Sequence, residues 1–413
     1  MNLQTALVHE STKVNRSLDR ELPGLDRIQS VAGKGDWAAF QVLLLGDEDY
    51  TLTVGDSPAF SPKGSLANVR LQVKYNGRKA FPTSLHVVGF IDDDDGTLKS
   101  DILLKNETVH VGKGEIQPVW VEIEIPTDAD AGVYQGEVQI LSHSMFEDEK
   151  VVGGLKFELD VKNVTMPAPG EYSFHLDLWQ HLSNIARKHE VYLWSDEHFA
   201  VIEEYVKSLA ALGQKAVTVI ASEIPWSGQG CTLTKDYPPD LFEYSMIRVE
   251  KDRSGLFHYD YSVMERYIKL CFQYGIDREI EVFGLTNIWV IPEEGFGAVA
   301  HDYPDAIRIR YLDRSDGCYK YMKSGVEIKE YIRALEQYFI QKGWIDRVLI
   351  VADEPADVSL YRQRLDLLKE LAPSFRFKTA INHVEFIDAF KDEVQDFVPA
   401  LQCAVKSGSC LKS

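Results

Sequence analysis

The hydrophobic rhythm of this chain changes near residue 165, and that change constrains the fold more than any other feature. Before it, apolar residues recur at every second position. In PVWVEIEIP (118–126) they are Val119, Val121, Ile123 and Ile125; in LKFELDV (155–161) they are Leu155, Phe157, Leu159 and Val161. A period of two belongs to strands with one buried face. Similar runs, TLTVG (51–55), NVRLQVKYNG (68–77), TSLHVVGFI (83–91), DILLKN (101–106) and GVYQGEVQIL (132–141), are separated by Gly, Asp and Asn. Many short strands of this kind predict a β-sandwich. Asp128, Asp130 and Gly132 make the turn before one of them.

MPAPG (166–170) reads as a linker, and a different pattern follows it. FHLDLW (174–179), AVTVIAS (216–222), REIEVFGL (278–285), RVLIVAD (347–353) and FKTAIN (377–382) read as strands. Helices are predicted over 195–213, 262–275, 326–343 and 359–372, the first capped by Ser195 and stopped by Gly213. Apolar strands alternating with amphipathic helices mean a parallel sheet with helices outside. The expected class is therefore α/β plus β: a β-sandwich domain over 1–165, then a (β/α)8-type barrel domain over 166–413. A further strand is expected at DFVPAL (396–401), and 224–261 and 288–325 read as insertions. Against the eight strands of a closed barrel, the chain stops about two steps short at its C-terminal end. Either it is truncated or the barrel is open, and an open edge exposes unpaired backbone groups.

Charge narrows the function. The 44 Lys and Arg face 64 Asp and Glu, a net charge of −20. Phosphate binding needs clustered cations, so nucleic acid is excluded as a partner, and an anionic membrane face equally. No apolar stretch reaches the roughly 18 residues of a membrane span, and the N-terminus lacks the pattern of a secretory signal. Five cysteines, Cys231, Cys271, Cys318, Cys403 and Cys410, show no CxxC spacing. An odd count without that spacing argues against a disulfide framework or a zinc site. A reducing cytoplasm is the expected location. Asp92–Asp95, followed by Gly96, lacks the spaced ligands of a calcium loop and reads as a solvated hairpin turn.

Catalytic groups of barrels lie at the C-terminal ends of the strands. Those ends carry His175, Asp177 and Trp179; Glu223 and Trp226; Asn287 and Trp289; Asp353 and Glu354; and His383. Polar groups beside indoles suit a sugar, whose apolar ring face stacks on an aromatic while its hydroxyls meet carboxylates and amides. The sharpest signal is VLIVADEPAD (348–357), a buried-type run ending in two adjacent carboxylates. Two like charges at a core edge are costly, and their repulsion favours keeping one protonated. That arrangement suits a general acid beside a charged partner. Alternatively, Glu354 caps a loop and Asp353 salt-bridges a neighbouring strand. Adjacent acids also suit a reaction in which the substrate's own 2-acetamido group is the nucleophile. His175, Asp177, Glu223 and His383 contain the residue types of a metal set, but the same types bind sugar hydroxyls. No metal or cofactor is expected.

PVWVEIEIPTDADAGVYQGEV (118–138), FHLDLWQH (174–181), YDYSVMERYIKLCFQYGID (259–277) and KGWIDRVLIVADEP (342–355) together resemble glycoside hydrolase family 123. The resemblance implies an exo-acting β-N-acetylgalactosaminidase using the substrate-assisted retaining route. Asp353 would stabilise the acetamido group and Glu354 would act as general acid and then general base. His175, Asp177, Trp179, Glu223, Trp226, Asn287, Trp289 and His383 are the candidate sugar-binding residues. The family's last barrel strands have no counterpart after residue 401. The competing reading is a non-catalytic carbohydrate-binding protein or an inactive fragment of such an enzyme.

Overall fold

The computed structural model describes all residues except 18–21, 56–62, 64, 78–79, 94, 145–146, 226–241, 287–298 and 407–413. The chain forms two compact units, Met1–Pro167 and Ala168–Ser413.

The first unit contains β1 (Leu3–His9), β2 (Arg27–Lys34), β3 (Trp37–Gly46), β4 (Tyr50–Thr53), β5 (Ala67–Tyr75) and β6 (Thr83–Asp92). It continues with β7 (Leu98–Leu103), β8 (Thr108–Val111), β9 (Ile116–Glu124), β10 (Gly132–Ser144) and β11 (Lys150–Thr165). One sheet runs β1-β3-β9-β6-β7 and the other β2-β11-β10-β5-β4-β8. The alternation read from sequence sorts residues between core and surface. Val119, Val121 and Ile123 of β9 share a single core with Leu155, Phe157, Leu159 and Val161 of β11. The unit is thus two-layered and sandwich-like. The turn before β10 is tied by Tyr134, whose hydroxyl donates to the Asp130 carbonyl at 2.8 Å. The aspartate-rich run joins β6 to β7. Lys99 closes the turn, its Nζ on Asp93 and 2.8 Å from Asp95.

The second unit opens with α1 (Leu182–Lys188), α2 (Asp196–Leu212) and β12 (Ala216–Ile220). The Ser195 hydroxyl accepts from the His198 N–H at 3.1 Å and caps α2. Gly213 ends it at φ +85°, where a Cβ would stand 2.8 Å from the Pro169 carbonyl oxygen. The short strands β13 (Ile224–Pro225), β14 (Phe242–Glu243), β15 (Arg248–Lys251) and β16 (Phe257–Asp260) follow, then α3 (Ser262–Gln273) and β17 (Glu279–Phe283). After them come β18 (Arg310–Asp313), β19 (Cys318–Tyr321), α4 (Gly325–Gln341), β20 (Val348–Ala352) and α5 (Val358–Leu371). The last elements are β21 (Arg376–Ile381), α6 (Glu385–Phe390), β22 (Asp396–Pro399) and α7 (Leu401–Lys406).

A parallel sheet ordered β12-β17-β20-β21-β22 forms the frame. Every residue of β12 and β20 is buried, as expected of strands covered on both faces. Ile202, Tyr267, Tyr331 and Leu365 from the helices pack with Val219, Val282 and Ile350 from the strands in one core. Among the described residues this sheet is a half-barrel; the closed eight-stranded barrel is not seen. The two expected insertions fold together: β15 pairs in parallel with β18, giving a small sheet ordered β16-β15-β18-β19.

The expectation of a strand at 174–179 needs correction. Backbone pairing there reduces to one bridge, Leu176 to Gln214. Side-chain amides replace the rest of the ladder. Gln214 accepts from the Leu178 N–H at 2.9 Å and donates to the Leu178 carbonyl at 3.2 Å. Gln180 accepts from the Thr218 N–H at 2.9 Å, and the Thr218 hydroxyl accepts from the Gln180 N–H at 3.1 Å. The segment is therefore tied to the start of β12 by one backbone bridge and otherwise by side-chain hydrogen bonds.

Candidate active site

The rim of interest is the C-terminal edge of the parallel sheet, where each strand hands over to the loop before its helix. At the centre of that edge β20 ends at Ala352 and the two acids follow. The ladder to β21 persists through them, because the Glu354 N–H donates to the Ala380 carbonyl at 3.1 Å. The chain then turns sharply: Glu354 has φ +48°. A non-glycine residue in the left-handed region costs on the order of 1–2 kcal/mol. Strain of this kind concentrates at functional positions. Asp353 is 9 % exposed, whereas Glu354 is exposed to solvent. Neighbouring side chains of a straight strand point to opposite faces; the left-handed turn at Glu354 departs from that straight-strand geometry.

Strand alternation puts Asp353 in phase with Leu349 and Val351. The register seats Glu281 of β17 beside Leu349, and Lys378 of β21 beside Val351. That face carries a buried charge cluster. Lys378 Nζ is 2.6 Å from Glu281, 2.8 Å from Asp177, 3.1 Å from Asp396 and 3.3 Å from Glu279. Burial, with the adjacent Asp177 carboxylate, drives the Glu281 carboxyl well above its ordinary range, against the pull of Lys378. Burial opposes the charge on Lys378, yet Glu281 and Asp177 overcome it and raise the ammonium above its ordinary value. The arrangement is coherent with Lys378 charged against Asp177 and with the proton kept on Glu281. Asp177 Oδ1 is a buried oxygen with no hydrogen-bond donor among the described residues.

The sequence-predicted residues divide among several settings. Asp177 belongs to the Lys378 cluster, and His175 is exposed with Nε2 3.4 Å from Glu279. Both lie below the rim, level with the N-terminal half of the sheet. Trp179 is half-buried and packs edge-on against Phe283, ring centres 4.9 Å apart. Glu223 follows β12 and is 2 % exposed; Arg310 Nε lies 2.7 Å from one oxygen and the Tyr321 hydroxyl donates to the other. Burial pushes the Glu223 carboxyl up, opposed by Tyr321 and Arg310. His383 sits at the end of β21, exposed, with Nδ1 3.7 Å from Glu385. Trp226, Asn287 and Trp289 lie outside the described residues. His175, Asp177, Glu223 and His383 thus have separate partners, and no group of three or more His, Cys, Asp or Glu among the described residues is placed to hold a metal ion.

Lys378, Glu281, Arg310 and Tyr321 were not singled out by sequence. The signal for the first two was present: a Lys in FKTAIN and a Glu in EIEVF interrupt runs that are otherwise buried, and a buried charge implies a buried partner. At the rim, Gly284 has φ +95°, and a Cβ there would fall 2.5 Å from the Ser222 hydroxyl, which donates to the Gly284 carbonyl at 2.7 Å. Only glycine allows β12 and β17 to end this close together.

A sandwich-like unit is thus followed by a unit whose parallel sheet carries an acid pair at its central C-terminal edge. Residues 179–413 match the model for the glycoside hydrolase 123 catalytic domain, and residues 89–142 match that for the glycoside hydrolase 123 N-terminal domain. The chain belongs to glycoside hydrolase family 123. Its fold is similar to that of a family 123 glycoside hydrolase from Clostridium perfringens, described in terms of glycolipid glycan hydrolysis. That likeness has a TM-score of 0.71 at 18% identity, over 97% of this chain and 68% of the other. EndoBT-3987 of Bacteroides thetaiotamicron, solved with a Man5GlcNAc product, aligns over 91% of this chain and 76% of its own at 11% identity, but a TM-score of 0.24 carries no weight for fold. No curated protein matches the chain. No helix among the described residues is long and apolar enough to cross a membrane.

Proposed function

We propose that the protein is an exo-acting glycosidase that releases terminal β-linked N-acetylhexosamine, N-acetylgalactosamine being favoured, with retention and by substrate assistance. The observation that carries this reading is the acid pair after β20, one member buried and the other exposed on a left-handed turn. In the first step the acetamido carbonyl oxygen attacks the anomeric carbon as the glycosidic C–O bond breaks. Glu354 gives its proton to the departing oxygen. Asp353 accepts from the acetamide N–H and balances the positive charge of the bicyclic oxazolinium-like intermediate. In the second step Glu354 takes a proton from water as the water oxygen bonds to the anomeric carbon and the bond from that carbon to the acetamido oxygen breaks, which restores the acetamide with net retention.

The unit from Ala168 onward is read as the catalytic domain, its half-barrel being an arc of a (β/α)8-type barrel. Trp179, Trp226, Asn287, Trp289 and His383 are proposed sugar contacts. His175, Asp177 and Glu223 are proposed to support the walls through their ion pairs. The odd cysteine count without CxxC spacing supports a reducing, cytoplasmic setting.

The test is the leaving-group dependence of two variants. Glu354→Gln is expected to lose about 10²–10⁴-fold on poor leaving groups and far less on activated aryl glycosides, since only the former need a proton donor. Asp353→Asn should lose activity on all leaving groups alike. Turnover equal to the parent in both variants would remove the assignment. Sugar binding without turnover in the parent would favour a non-catalytic carbohydrate-binding protein.

A further inference from the structure

Two strands of the sandwich-like unit are paired along only part of one edge. β5 lies between β10 and β4, but its ladder with β4 stops at Arg70. β6 lies between β9 and β7, but its ladder with β7 covers only 88–92. Residues 71–75 and 83–87 are thus laddered on one side only, to β10 and β9 respectively. Both stretches line one cleft of about 880 Å³. Side chains show the same gap. Val73 and Leu85, which pack on the core of the unit, are only partly buried, whereas Leu71 and Val87, two residues away, are buried.

The direction of the backbone groups follows from single hydrogen bonds. In an antiparallel pair the N–H and C=O groups facing the neighbour belong to every second residue. On β6 the Glu124 N–H donates to the Pro82 carbonyl at 3.0 Å. The groups of Ser84 and His86 therefore face β9, and those of Thr83 and Leu85 face the other side. Two further bonds agree. The Val88 carbonyl, in phase with Ser84, accepts from Gln117 Nε2 of β9 at 2.8 Å. The Val87 carbonyl, in phase with Leu85, accepts from the Leu104 N–H at 2.9 Å, after which the chain crosses to β8. Beyond that bond no described residue meets the free-side backbone groups of Thr83 and Leu85.

We propose that this cleft takes an extended acidic peptide of another molecule, added as a strand along β6 at Thr83 and Leu85. Donor and acceptor recur there at every second residue, a repeat of about 7 Å. An extended polypeptide backbone answers that repeat, and an exposed strand edge is the usual template for it. The peptide's inward side chains are apolar and cover Leu85, Val73 and Tyr75. Its outward side chains meet Lys105, which lines the cleft, is exposed and has no ion pair among the described residues. The opposite charge, Glu107, lies on the β4 side, with its carboxylate against Gly55. Arg70, also at the cleft, is already held by Glu149. The inference concerns the first unit alone and does not rest on the glycosidase reading.

The experiment is hydrogen exchange of the full chain, resolved to single amides. The probes are a blocked hexapeptide alternating valine and aspartate and its fully N-methylated form. In the free protein the Ser84 and His86 amides, bonded to β9, are expected to exchange about 100-fold more slowly than those of Thr83 and Leu85. The plain peptide at ten times its Kd should slow Thr83 and Leu85 about tenfold, and the N-methylated form should leave them fast. Lys105→Gln is expected to weaken the plain peptide about two- to threefold, the scale of one exposed ion pair. Thr83 and Leu85 amides that are slow in the free protein, or that stay fast with the plain peptide, would overturn the proposal. Equal slowing by both peptides would overturn it too, since backbone pairing would then not be the cause. Slowing that follows protein concentration without peptide would assign the cleft to a second copy of the chain and equally overturn it.

Discussion

Asp177 Oδ2 lies 2.8 Å from Lys378 Nζ, joining residues 201 positions apart in the chain. The contact matters because Asp177 belongs to the segment that has only one backbone bridge to the sheet, whereas Lys378 sits inside β21. A charge pair deep in the unit thus fixes a segment that strand pairing does not.

Removing one partner from such a pair leaves the other buried and uncompensated. Lys378→Met is expected to cost about 3–5 kcal/mol of unfolding free energy. The double variant Lys378→Met with Asp177→Leu should recover a large part of it, because the poorly exposed Asp177 carboxylate is then gone too, while Glu279 and Asp396 keep access to water. Urea unfolding of the two variants checks this; a double variant no more stable than the single would refute it.

The same cluster sets a pH dependence. Burial beside Asp177 raises the folded-state Glu281 carboxyl well above its unfolded value. A raised carboxyl holds its proton more tightly when folded. Its contribution to stability is therefore complete below the unfolded value of about 4.3, and it is lost as pH rises from there toward the folded value. Glu281→Gln imitates the protonated form and removes this loss. Thermal melts between pH 5 and pH 9 should show the variant gaining on the parent as pH increases. Parallel curves would place the proton elsewhere.

Glu354 holds a conformation that suits glycine better than any L-residue with a Cβ. Glu354→Gly is expected to exceed Glu354→Ala in stability by about 1 kcal/mol, the strain of the left-handed region less the extra freedom of glycine when unfolded. Denaturant midpoints of the two variants decide it. The same order or a larger gap supports strain kept for function; an alanine variant of higher stability would show that the turn is unstrained.

Much of this architecture is legible in the sequence because local pattern and tertiary burial agree. The alternation in 118–126 and 155–161 puts Val119 to Ile123 and Leu155 to Val161 in the core, and Ser195 and Gly213 bound α2. The segment 174–179 misleads for a definable reason. Its Leu, Trp and alternating polar residues look like a strand, yet Gln214 and Gln180 satisfy its backbone groups with side-chain amides, and no periodicity reports that exchange. The site is partly legible. Asp353 and Glu354 stand at the end of a buried run as expected, but the left-handed turn at Glu354 and the clustering of Asp177, Glu281 and Lys378 depend on strand register, which joins residues far apart in the chain.

Substrate assistance requires the acetamido group of the sugar itself to perform the displacement between Asp353 and Glu354. Its most direct test compares hydrolysis of an aryl N-acetyl-β-galactosaminide with that of the matching aryl β-galactoside, which has a 2-hydroxyl in place of the amide. Turnover of the first and none of the second is expected, whereas equal hydrolysis of both would show that the protein supplies the nucleophile and would rule out substrate assistance.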